Sequence, residues 1–247
     1  MPENKIRVAS LFCGCGGSDL GLLGGFKYLG KHYKRLPFEI VYAIDNDKYA
    51  VETYNANFEH PAICEDITKV DFADVPDVDM MIGGFPCQSF STVNPTKDTN
   101  DARANLYKEI VRFLHEKQPK YFICENVKGL VIHDRGRTFK IICKTFEDLG
   151  YKVFFKVLNS KNFGVPQNRE RIYVVAFRND IAPETFDFPE MTDDTKRLWD
   201  IREENPVPAK YYLSDVYVET LRRHKARHEY SLGGVFCTRL YEAYCQF

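Results

Sequence analysis

Short apolar runs rich in β-branched and aromatic residues alternate along this chain with segments of helical period. That alternation limits the available folds more than any other feature. "KIRVASLF" (5–12) predicts a strand and "SDLGLLGGFKYLG" (18–30) an amphipathic helix. "FEIVYAID" (38–45) predicts a strand, "KYAVETYNANF" (48–58) a helix, and "AIC" (62–64) a short strand. "VDMMIGG" (78–84) leads through a polar stretch to the helix "NLYKEIVRFLHEKQ" (105–118), and "KYFICEN" (120–126) to the helix "GRTFKIICKTFEDLG" (136–150). "YKVFFKVLNS" (151–160) and "RERIYVVAF" (169–177) are strands with no helix between them, so one of the two is expected to run antiparallel. Five strand-then-helix units imply an α/β fold: an open, doubly wound, mostly parallel sheet covered on both faces. Ligands of such sheets sit beyond the carboxyl ends of the strands, so those ends are where function is sought.

With 247 residues, 44% of them hydrophobic, the chain can fill a large core. Its formal net charge of −1 carries no global nucleic-acid signature, so a partner of that kind must be argued from local residues. No run approaches the roughly 18 apolar residues that span a bilayer. The segment "MPENKIRVASLF" lacks the apolar core of an export signal. A cytoplasmic location with reduced thiols is expected. The eight cysteines contain no C-x-x-C pair. His224 and His228, with Cys237 and Cys245 downstream, are the nearest approach to a metal set, and a basic solvated helix face explains "LRRHKARH" without one, so no metal is expected. Beyond Phe177 the chain turns Pro-rich and irregular, with a helix that could open at Ser214. Residues 1–180 are expected to form the catalytic domain, and residues 181–247 a linker and the start of a further region.

Three acids and a glycine cluster gather at the first three strand ends. "SLFCGCGGSDLG" passes from strand to helix through a turn whose glycines allow close backbone approach. It departs from the dinucleotide fingerprint, because Asp19 stands where the third glycine belongs, and an acid there opposes a pyrophosphate. Asp45 ends the second strand, where a carboxylate can accept ribose hydroxyls, and Asp66 follows the third, where it can accept from an adenine amine. Together they point to a nucleoside cofactor without phosphates, such as S-adenosylmethionine. Singly, each acid also reads as a helix N-cap.

A second group lies on the later strands. In "GGFPCQSFS" (83–91) Pro86 and Cys87 stand at the mouth of a strand, which presents the thiol rather than packing it. Glu125 ends a strand of buried type, so its carboxyl is expected in a partly desolvated cleft where it could hold a proton. Arg169 and Arg171, two apart in an extended run, share a face. A thiol, a carboxyl and fixed guanidiniums make a nucleophile, an acid and a clamp. A packed small hydrophobe and a structural ion pair are the alternatives.

"SLFCGCGG", "AIDNDKYAVETYNANF", "EDIT", "GGFPCQSFS", "ENVKGL" and "VLNSKNFGVPQNRERIYVVAFRND" occur in order over about residues 5–180. Together they resemble the DNA (cytosine-5)-methyltransferases. The resemblance implies a Rossmann-like, adenosylmethionine-dependent methyltransferase fold with duplex DNA as partner, of the kind found in restriction-modification systems. It implies that the Cys87 thiolate adds to carbon 6 of a flipped cytosine while Glu125 serves ring nitrogen 3. Arg171 would hold the carbonyl oxygen of the base, supported by Arg169. Phe12, Gly14, Gly16 and Gly17 would line S-adenosylmethionine, Asp45 hold its ribose, Asp66 its adenine amine, and Ile67 pack on the adenine. Pro86 and Leu106 would border the same site. At position 46 many relatives carry a stacking aromatic where this chain has Asn46. Gln88 and Ser91 would contact DNA, in a stretch expected to close over it.

The basic residues Arg222 and Arg223 could touch phosphates or simply form a solvated helix face. Nothing after Phe177 matches the family's later elements, and three explanations stand side by side: a subunit completed by a second protein chain, a truncated chain, or a remnant that binds cofactor or partner without catalysis. RNA methylation is a further alternative, because the active-site residues do not distinguish the two nucleic acids.

Overall fold

The computed structural model describes residues 5–85, 106–206 and 208–227. The chain forms β1 (Ile6–Leu11), α1 (Gly17–Leu23), the two-residue strands β2 (Lys27–Tyr28) and β3 (Lys31–His32), β4 (Phe38–Asp45) and α2 (Lys48–Asn57). There follow β5 (Ile63–Cys64), β6 (Met80–Gly83), α3 (Tyr107–Lys117), β7 (Tyr121–Val127), α4 (Gly129–Ile132), α5 (Arg137–Asp148), β8 (Tyr151–Asn159), β9 (Glu170–Arg178) and α6 (Asp215–Arg227). Seven strands join one sheet in the order β5-β4-β1-β6-β7-β9-β8. Every pairing from β5 to β7 is parallel, and β9 runs antiparallel to both β7 and β8. The doubly wound sheet with one antiparallel strand expected from the sequence is the one observed.

β1 is central, and its last four residues are buried. Alternation sends Val8 to the core shared with Val51 and Tyr54 of α2, and Ala9 and Leu11 to the core shared with α3 and α5. On the α5 face, the fully buried ring of Phe122 meets Phe146 and Tyr151 edge-on at centroid distances of 5.0 and 5.1 Å. The Tyr151 hydroxyl, also buried, donates to the Pro119 carbonyl at 2.8 Å.

Two sequence expectations need correction. The first helix ends at Leu23 rather than near residue 30, because Gly24 and Gly25 both take positive φ (63° and 81°) and an added Cβ at Gly24 would collide with the Lys34 carbonyl. The residues beyond form the small β2–β3 hairpin instead. In the third unit, two single 3-10 turns, Ile67–Lys69 and Phe72–Asp74, stand where a crossover helix would be.

The described residues up to Ile201 form one compact unit and those from Arg202 a second. In the first, Phe186 packs on Phe154 and Phe177 after the last strand. In the second, the hydroxyl of Ser214 accepts from the Tyr217 backbone N–H at the start of α6. Truncating Phe122 to Ala should lower unfolding free energy by about 3–5 kcal/mol, because the cavity it leaves is walled by rings that cannot collapse into it. Urea denaturation of the two proteins measures the difference.

Candidate active site

The sheet order reverses at β1: the chain moves first to β4 and β5 on one side, then to β6 and β7 on the other. The chain thus crosses from β1 to β4 on one side and from β6 to β7 on the other, and in sheets with such a reversal the ligand crevice lies at the carboxyl ends of those strands. Gly83 lies against Leu11 of β1, where an added Cβ would stand 2.8 Å from the Leu11 carbonyl oxygen. Glycine is what lets the two strand ends approach before they part.

The turn after β1 holds three left-handed residues within five: Phe12 (φ 55°), Gly14 (φ 54°) and Gly16 (φ 86°). Such a φ at a phenylalanine costs of the order of 1–2 kcal/mol and persists where surrounding structure imposes it. Asp45, at the end of β4, supplies part of that constraint. One carboxylate oxygen accepts from the Gly14 N–H at 2.8 Å and the other from the Asp47 N–H at 2.9 Å. The cap of α2 is Asp47, which accepts from the Tyr49 and Ala50 N–H groups, so Asp45 is free of that duty. Gly16 is needed for packing, since a Cβ there would strike the Phe58 ring, itself stacked on Tyr54. Among the described residues nothing lies within 4 Å of an added Cβ at Gly14 or Gly17, so on that side they leave the turn an open cradle.

Asp66 caps the turn Ile67–Lys69, accepting from the Thr68 N–H at 3.0 Å and its hydroxyl at 2.8 Å. These bonds hold its carboxyl below the usual carboxylate range. Here the capping role weighed from the sequence is real. Ile67 is only 5% exposed and packs in the α3-side core, Asn46 is exposed, and Leu106 packs at the start of α3.

Asp19 does not lie over the glycine turn, where the sequence reading set it against a pyrophosphate. It is fully buried, and its Oδ1 accepts from the Ser10 hydroxyl at 2.7 Å. Its other oxygen and the buried Tyr54 hydroxyl approach each other, yet neither has a hydrogen-bond partner among the described residues. Burial raises the Asp19 carboxyl and, together with Asp19 and Asp45, pushes the neighbouring Cys13 thiol up to about 12. Burial likewise raises Cys124 and, with Glu147, moves Cys143 to about 11, so none of these three is a thiolate at neutral pH.

On the other side of the crevice, Glu125 of β7 meets Arg171 of β9 at 2.8 Å, and both side chains are partly exposed. Gly84 makes room for this pair, since a Cβ there would lie 3.1 Å from the Glu125 carboxylate. Buried Asn126, in the same "ENV" run, donates to the Phe85 carbonyl at 3.1 Å and ties β7 to the chain just before Pro86. Sequence reasoning passed over Asn126 and Ser10, whose signal is that of a polar residue inside a buried strand. Arg169, Arg171 and Tyr173 line one cavity of about 280 Å³ with Leu158, Phe163 and Val165, so the two arginines do share a face. Pro86, Cys87, Gln88 and Ser91 lie outside the described residues.

Arg222 and Arg223 both reach Glu219 on their own helix, at 3.5 and 3.4 Å, as a solvated helix face would. Among the described residues no group of three His, Cys, Asp or Glu side chains could hold a metal ion, and no helix is long and apolar enough to cross a membrane.

The model of the C-5 cytosine-specific DNA methylases matches residues 6–244. The chain belongs to that family. It is 41% identical over 226 residues to the type II methyltransferase M.SsoII of Shigella sonnei, a match covering 90% of this chain and 56% of that protein. It is 40% identical over 232 residues to M.HpaII of Haemophilus parainfluenzae, covering 92% and 61%. The chain thus spans a little over half the length of these relatives. The crystal structure of the S. pombe Dnmt2 methyltransferase superposes with a TM-score of 0.64 at 22% identity, over 89% of this chain and 66% of that one, and shares its fold.

Replacing Asp19 by Asn isolates the buried carboxyl. Its folded-state pKa lies above the ordinary 3.8, so its contribution to stability is complete below 3.8 and is lost as pH rises through the folded value. The stability of the unmodified chain relative to Asp19→Asn should therefore fall between pH 3.8 and neutrality, as urea unfolding across that range would measure.

Proposed function

We propose that this chain carries the cofactor-binding and catalytic part of a DNA cytosine-5 methyltransferase of the restriction-modification type. S-adenosylmethionine would bind over the turn after β1, and the accepting atom would be carbon 5 of a cytosine turned out of the duplex. The observation that carries this reading is the Glu125–Arg171 pair, seated against Gly84 on the stretch leading to Cys87, at the same end of the sheet as the strained glycine turn. The residues at that turn suit the cofactor: an open cradle at Gly14 and Gly17, the Asp45 carboxylate beside it, and Asp66 on the neighbouring loop. A set of carboxylate acceptors favours hydroxyls, an amine and a cationic centre over phosphates.

When bound, the cofactor supplies an electrophilic methyl group on a sulfonium. Cys87 would add as a thiolate to carbon 6 of cytosine, which makes carbon 5 electron-rich. Glu125 would hydrogen-bond or protonate ring nitrogen 3, and Arg171 would hold the adjacent carbonyl oxygen while keeping Glu125 oriented. Once carbon 5 had bonded to the methyl as the methyl–sulfur bond broke, its proton would pass to a base, and the freed C–H electron pair would form the 5,6 double bond as the bond from carbon 6 to the Cys87 sulfur breaks. Asn126 would hold the approach to Cys87 through Phe85. We assign the choice of DNA sequence to residues outside the described ones or to a second chain that supplies the recognition region.

DNA containing 5-fluorocytosine, offered with adenosylmethionine, has no carbon-5 proton to lose and should leave a stable adduct on Cys87, seen by gel shift and peptide mass spectrometry. Cys87→Ser should abolish the adduct, and Glu125→Gln should slow its formation by about 100-fold. Cofactor binding without an adduct on any DNA, with or without a complementing chain, would overturn the reading. An adduct with structured RNA alone would move the activity to that substrate.

A further inference from the structure

Arg112 of α3 is bound more completely than a surface helix requires. Its Nε donates to Glu109 at 2.9 Å, one terminal nitrogen to the Val70 carbonyl at 2.9 Å and the other to the Ile67 carbonyl at 2.9 Å. The same guanidinium lies 3.8 Å from the centre of the Phe72 ring. Both carbonyls belong to the turn that Asp66 opens, and Glu109 orients the fork from one turn earlier on α3. Packing of the following 3-10 turn on α3 is already provided by the edge-on contact of Phe72 with Phe113 at 5.0 Å. The two carbonyl bonds therefore add something that packing does not: they fix the backbone of residues 67–70, and with it the direction of the Asp66 carboxylate.

We infer that Arg112 is a positioning residue for base recognition in the cofactor site, setting Asp66 where it can accept from the exocyclic amine of adenine. The inference rests on the cofactor reading above. A planar guanidinium is needed because two carbonyls, a carboxylate and a ring face are engaged in fixed directions at once; a lysine ammonium satisfies one or two of these at a time. Removing the fork leaves the pocket in place and lets the Asp66 turn swing, so discrimination among bases is lost before binding as such.

The test is calorimetric binding of S-adenosylhomocysteine and of its inosine analogue, which carries an oxo group in place of the amine. The full chain is compared with Arg112→Lys and, as reference for loss of the acceptor, Asp66→Ala. The unmodified protein should prefer the adenosine compound. Arg112→Lys should bind that compound about tenfold more weakly while its preference over the inosine analogue shrinks toward that of Asp66→Ala, as expected when a partly buried, charge-assisted fork is lost. Equal weakening of both compounds would mean general destabilisation and overturns the inference, as does unchanged binding of both. If the unmodified protein binds neither compound, the cofactor reading itself fails; if it binds both equally, the role given to Asp66 fails alone, and the inference falls in either case. Should Arg112→Lys not fold, Glu109→Gln removes the charge that orients the fork and so weakens both carbonyl bonds: a partial loss of preference supports the inference and a full preference overturns it.

Discussion

The architecture depends on a strand that must be covered on every side. β1 pairs with β4 and β6 along its edges, and from Val8 to Leu11 it is buried on both faces, so the backbone groups and side chains of those four residues have no route to water. Four consecutive buried residues can be accommodated in the middle of a parallel sheet and hardly anywhere else. Once β1 is central, the connections on its two sides have to diverge, and the crevice at its carboxyl end follows from topology rather than from any one side chain. Leu11 and Gly83 mark the closest approach of the two strands before that divergence.

What fills the crevice is backbone held under constraint. Phe12 and Gly14 occupy left-handed conformations, and the Asp45 carboxylate spans from Gly14 to Asp47, joining the turn after β1 to the one after β4. Beneath this turn the Ser10–Asp19 bond closes a buried polar contact between strand and helix. Across the crevice, Asn126 and the Glu125–Arg171 pair brace the chain on its way to Cys87. In each case a polar group is held by backbone, by a hydroxyl or by an opposite charge, so these side chains have fixed directions before any ligand arrives.

The same economy explains which features could be read in advance. Strand and helix periods were plain, because burial of β1, β4 and β6 demands apolar runs and burial of one helix face demands a repeat near 3.6 residues. The pairing of Arg169 with Arg171 on one face followed from the two-residue repeat of a strand. The early stop of α1 was missed although Gly24 and Gly25 signal it, because what enforces it, a carbonyl from the distant Lys34, shows only in the fold. The direction of Asp19 was likewise hidden, since a buried acid and a surface acid look alike until their surroundings are known.

The sequence by itself determined the main alternation of strands and helices, the antiparallel last pairing and the set of polar and ionisable residue types near the strand ends, because these depend on local period and on chemistry carried by single residues. The tertiary structure decided which acid faces the crevice and which lies beneath it, that Asp47 rather than Asp45 caps α2, and that Arg112 grips the turn after Asp66 from residues more than forty positions away. Those are matters of direction and of contact between distant segments, and they exist only after the sheet has brought the segments together.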